Sequence, residues 1–74
     1  MKRRGWIRER ILRILLNEPD GTLTMYKVAK EAGCSFSWVH EFLGKLEVMM
    51  LVEGTRVRNY EGLVRYWQKV SEGV

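Results

Sequence analysis

Apolar residues along this chain fall into helical stripes separated by short polar breaks. Ile7, Ile11, Ile14 and Leu15 share one face at helical spacing and predict a helix over about residues 5–17. Leu12 and Leu16 open a second apolar face, rotated by more than a right angle, so this helix is expected to lie between two partners. Pro19 disfavours helical geometry at Glu18, and Asp20-Gly21 then makes a turn. Thr22-Leu23 reads as a strand of two or three residues. Thr24 is a good N-cap for a second helix over residues 25–32, whose inner face is Val28, Ala29 and Ala32. Gly33 supplies the left-handed position that ends it, and Ser35 caps a third helix over residues 35–47.

The third helix separates cleanly on a wheel. Val39, Leu43, Leu46 and Met50, flanked by Phe36 and Phe42, form the expected buried side. Ser37, His40, Glu41, Gly44, Lys45 and Val48 point away from it, with Trp38 on the boundary. Glu41 and Lys45 stand at i,i+4 in the favourable order for an ion pair. In the following LVEGTRVRN, Gly54-Thr55 can form a two-residue hairpin turn with glycine first. That register pairs Val52 with Val57 and Glu53 with Arg56, and sends Arg56 and Arg58 from one edge. Asn59 caps a last helix over about residues 60–71, with Leu63, Val64, Trp67 and Val70 inward. Its expected seat is the second apolar face of helix 1.

The 74 residues suit one small domain, 1–74, and contain no apolar run near the roughly 20 residues that a membrane span needs. The basic N-terminus runs straight into charged helix, which argues against a secretory signal. A single cysteine, Cys34, cannot form an internal disulfide, which fits a reducing cytoplasm, and with the lone His40 it falls short of a protein-only zinc site. Neither a cofactor nor a metal is expected. The net charge of +4 is uneven: Lys2, Arg3, Arg4, Arg8, Arg10 and Arg13 oppose only Glu9 in the first thirteen residues. Such a stretch suits a polyanion such as nucleic acid, or equally a solvated helix face with snorkelling arginines.

The residues from Thr24 to Leu43 carry a resemblance. Ala29 precedes the Gly33 turn by four positions, Val39 follows it by six and Phe42 by nine, the spacing of a helix-turn-helix. With Ser35, Leu43, Leu46-Glu47, Leu51-Val52-Glu53 and the element order α-β-α-α-β-β-α, residues 5–58 resemble the winged helix-turn-helix superfamily. The nearest likeness is to small archaeal and bacterial transcription-regulator domains. A departure is Met49-Met50, where such domains often end helix 3 with glycine; here the helix runs on or Met50 plugs the core.

The resemblance implies a mostly α fold with a small β-hairpin wing, and a cytoplasmic regulator of transcription that binds double-stranded DNA. Helix 35–47 would then enter the major groove, with the 51–58 wing on the flanking backbone or minor groove. Ser35, Ser37 and His40 could meet bases or phosphates, Glu41 a cytosine amino group, Lys45 a phosphate or guanine, and Trp38 or Val48 a thymine methyl. Lys27 and Lys30 would suit the backbone beside helix 2, and Arg56 and Arg58 the wing contacts. The alternative is a winged-helix protein-interaction module within a larger transcription or antitoxin assembly, since helix 3 carries Lys45 against Glu41 and Glu47 and is not basic. An enzyme is not expected, because His40 has no evident nucleophile partner. A homodimer through helix 1 (Trp6, Leu12, Leu16) and the C-terminal helix (Tyr60, Tyr66, Trp67) is expected, or else a place within a longer protein. No small-molecule effector is expected, because so small a core leaves little room for a pocket.

Overall fold

A computed structural model describes residues 4–73, with side chains from Trp6 onward; Lys2, Arg3 and the side chain of Arg4 lie outside the described residues. In chain order the elements are α1 (Arg4–Asn17), α2 (Met25–Ala32), α3 (Phe36–Val48), β1 (Val52–Glu53), β2 (Arg56–Val57) and α4 (Tyr60–Glu72). The molecule is mostly helical, with one small antiparallel hairpin.

Both apolar faces of α1 are used. Ile11, Leu12 and Leu15 are fully buried, in one cluster with Val28, Ala29, Ala32, Val39, Leu43, Leu46 and Leu63. α2 packs against one side of α1 and α4 against another. The α4 side is marked by a polar contact within an otherwise apolar seam. The Trp67 indole N–H donates to Glu9 Oε2 at 3.0 Å, and Arg13 holds the same carboxylate with two bonds of 3.0 and 2.6 Å. Glu9 is thereby buried without being unpaired. The Arg13 guanidinium holds its carboxyl below the usual carboxylate range; burial opposes this and the Trp67 hydrogen bond adds to it.

Capping chemistry sets where the helices begin and end. The side chains of Thr24, Ser35 and Asn59 accept from the backbone N–H groups of Lys27, Trp38 and Gly62 at 3.1, 3.1 and 3.0 Å. Gly33 takes φ +75°, and Gly33 N–H and Cys34 N–H both donate to Ala29 O. Nothing crowds the place a Cβ would take there, so the demand for glycine is conformational. Burial pushes the Cys34 thiol up, away from the reactive thiolate.

Three expectations are corrected. Met50 neither extends α3 nor fills the core: it is 55% exposed and adopts φ +62°. Its N–H donates to Glu47 O and that of Leu51 to Leu46 O, the bond pattern that glycine usually completes at a helix end. The left-handed turn swings Met50 out and puts Leu51 into the core in its place. Phe36 is likewise surface-exposed, because it stacks on Tyr26 instead of entering the cluster (ring centroids 4.4 Å apart). Finally, Thr22-Leu23 is not a strand. The hairpin finds its third strand partner earlier, at Asp20, which bridges Arg56 while Val57 N–H donates to Pro19 O at 2.9 Å. Gly21 (φ +86°) allows this approach: a Cβ there would stand 2.9 Å from the Cβ of Arg56. Thr22 instead donates twice to Asp20 Oδ1, closing a local turn.

Two outcomes follow from these contacts. Met50→Gly relieves the left-handed methionine at little loss of buried surface and should raise unfolding stability by about 0.5–1 kcal/mol in urea; an unchanged or lowered midpoint refutes the assignment. Because the folded-state pKa of Glu9 is depressed, its contribution is fully present above the ordinary value of 4.5 and is lost as pH falls through the folded-state value. The stability difference between wild type and Glu9→Gln, read from urea midpoints at about pH 6 and about pH 3, should therefore narrow sharply in acid.

Candidate nucleic-acid interface

The inner side of α3 is sealed by Val39, Phe42, Leu43 and Leu46, and its outer side is left open. Ser37, His40, Glu41 and Lys45 are exposed, and Val48 is 84% exposed. Nothing lies within 4 Å of the Cβ position of Gly44, so the backbone itself is approachable there. Ser35 is exposed too, and its Oγ is engaged as the cap of Trp38 N–H; its hydroxyl proton is free for an acceptor. Trp38 is half-buried and tilts against Phe42 (centroids 5.4 Å apart), so it flanks the outer face instead of standing on it.

The charge of this surface differs from the simple residue count. Glu47 does not face outward with Glu41: its Oε2 accepts from Gly54 N–H at 2.7 Å, tying the tip of the hairpin to α3. The outer face is left with Glu41, Lys45 and His40. Glu41 and Lys45, although spaced for it, form no ion pair among the described residues.

Around that near-neutral strip the cations have different freedom. Lys27 and Lys30 are exposed on α2, and Lys30 lies one turn beyond Tyr26, whose ring packs on the first turn of α3. Arg58 is exposed at the end of the hairpin, with its backbone N–H on Leu51 O. Arg56 is exposed but bonded to Glu53 at 3.2 Å. In α1, Arg13 is held by Glu9, and Arg10 reaches Glu31 O at 3.0 Å while its guanidinium sits 4.8 Å over the Trp6 ring. Neither is a loose basic arm.

Four residues at this surface escape sequence reasoning. Tyr26, 72% exposed, stacks on Phe36, which stacks in turn near His40 (centroids 6.1 Å apart), making an aromatic ridge across the α2–α3 junction. Arg8 and Tyr66 join Trp38, Glu41, Phe42 and Lys45 around a cleft of about 340 Å³. A small core was expected to leave no pocket; this one lies outside the core, between α1, α3 and α4. Tyr26 and Phe36 could have been noticed as aromatics off or at the edge of the buried stripes. Trp38, Glu41, Phe42 and Lys45 share one stripe of α3, but the cleft closes only with Arg8 and Tyr66 from the two ends of the chain, which the local pattern does not signal.

The hairpin is fixed at three points. Besides the Glu47 contact and the Pro19 bond, the buried Thr55 hydroxyl donates to Leu23 O at 2.6 Å. Its register is Val52 opposite Val57 and Glu53 opposite Arg56, as Gly54-Thr55 predicts. Among the described residues no helix is long and apolar enough to cross a membrane. No family model matches the chain, and neither the curated proteins nor the solved structures contain a match to it.

If Glu47 ties the hairpin to α3, Glu47→Ala should speed hydrogen exchange at the Gly54 amide and lower stability by about 0.5–1.5 kcal/mol. Unaltered Gly54 exchange would show that the other two anchors suffice.

Proposed function

We propose that this chain is a winged helix-turn-helix domain that binds double-stranded DNA as part of a transcription regulator. The observation that carries the reading is the outer face of α3 around Ser37, His40, Gly44 and Val48, which is open although the inner face is fully sealed; Glu41 and Lys45 stand at its edge, where the cleft toward α1 and α4 begins. Such a helix has the width and exposure to enter a major groove. Ser37, His40, Glu41 and Lys45 then face the base edges, and the small Gly44 permits a close approach. Lys27 and Lys30 contact the backbone on one flank and Arg58 on the other. Since the α3 face is close to neutral, these flanking cations supply the attraction and the helix supplies the discrimination.

A second reading, a protein-interaction module, is favoured by a different observation. Val48, Met49 and Met50 form an exposed apolar run at the end of α3, and Tyr26 and Phe36 expose aromatic surface at its start. Homodimerisation through α1 and α4 draws on less surface than the sequence implies, because Leu12 is fully buried within the monomer and Trp67 is turned onto Glu9; Tyr60, 51% exposed, remains outward.

Duplex binding across a salt series separates these readings. Arg58→Ala should reduce the slope of log affinity against log salt by about 1, and Arg56→Ala by less, because Arg56 must first leave Glu53. Ser37→Ala/His40→Ala should change discrimination between duplexes more than the slope. Absence of binding to any duplex at about 50 mM salt would defeat the DNA reading and leave the interaction module.

A further inference from the structure

We propose that the cleft between α1, α3 and α4 binds a small aromatic monocarboxylate. Its volume of about 340 Å³ is that of a modest ligand pocket, and its lining is chemically mixed: Trp38, Phe42 and Tyr66 supply aromatic surface, Arg8 and Lys45 positive charge, and Glu41 a carboxylate. Trp38 and Phe42 are already tilted against each other, so that wall is formed in advance.

The charges select the ligand class. Neither Lys45 nor Glu41 has an ion-pair partner among the described residues, and Arg8 has none either. The cleft thus carries two cations and one anion that are not compensated by one another. A net single positive charge complements a monoanion, whereas Glu41 disfavours a multiply charged phosphate ester. Arg8 has a further reason to respond. Its Nε is buried without a hydrogen-bond partner, which leaves a polar group desolvated and unsatisfied. Turning its planar fork to a carboxylate replaces that arrangement with two charge-assisted bonds. A flat ring lies against Trp38 and Tyr66, and a ring N–H or O–H suits Glu41. This proposal does not depend on the DNA reading.

The test is an amide NMR titration of the full chain with indole-3-acetate. Expected are saturable shifts at Trp38, Glu41, Phe42 and Tyr66 and at the Trp38 indole N–H. Indole, acetate and tryptamine, which lack the charge, the ring or the sign of charge, should bind at least about tenfold more weakly, the scale of one lost charge-assisted pair. Arg8→Gln should weaken indole-3-acetate by a similar factor, and Arg8→Lys by less, with both spectra still those of a folded chain. If Arg8→Gln does not fold, Tyr66→Leu serves in its place and should also weaken binding. The proposal is overturned by shifts that do not saturate, by shifts centred away from the cleft, or by indole binding as tightly as indole-3-acetate.

Discussion

The seating of α2 and of α4 depends on one helix, α1, being apolar on two sides. α1 must satisfy α2 and α4 at once, and Ile11, Leu12 and Leu15 are fully buried as a result. α2 cannot supply this, since it has only eight residues and a narrow stripe of valine and alanine. Burial of three such side chains contributes several kcal/mol, about 1.5–3 kcal/mol each, a large part of what a small domain commands. One charge still lies within this apolar seam: the Glu9 carboxylate is satisfied from α1 itself by Arg13 and from α4 by Trp67. It adds directionality to a contact that hydrophobic burial alone would leave free to slide.

Much of this arrangement is legible in the residues because the helices begin and end on side chains with a single strong preference. Thr24, Ser35, Asn59, Gly33 and Pro19 each act locally, so a reader of the chain can place α2 and the two helices that follow within a residue. What is not legible involves competition between levels. Met50 continues an apolar stripe, and nothing in the periodicity says that a left-handed residue will turn it out and send Leu51 in. Phe36 is an apolar residue at the edge of a stripe, and only the three-dimensional position of Tyr26 decides that it stays outside. The strand partner of the hairpin is the carbonyl of a proline, a residue whose lack of an N–H conceals its use as an acceptor.

The same division applies to the candidate site. Exposure of Ser37, His40, Glu41 and Lys45 follows from helical spacing and could be read in advance. Their electrostatic setting could not. Glu47 is hydrogen-bonded to a backbone donor seven residues away, and Arg10, Arg13 and Arg56 are each engaged within the fold. Formal charge therefore overstates the cationic surface available to a partner. Counting charges along a chain treats each as solvated, whereas here their hydrogen bonds determine which ones a partner meets.

The three anchors of the hairpin have a consequence of their own. Two strands of two residues are far too few to hold a hairpin together in water, so its shape is imposed by Pro19, Leu23 and Glu47, each from a different part of the chain. A segment held in this way has already given up its conformational entropy on folding. Whatever approaches Arg58 meets a loop with little left to lose, so contact there carries only a small ordering cost. The hairpin behaves less as a flexible flap than as a rigid rim whose stiffness comes from the domain beneath it.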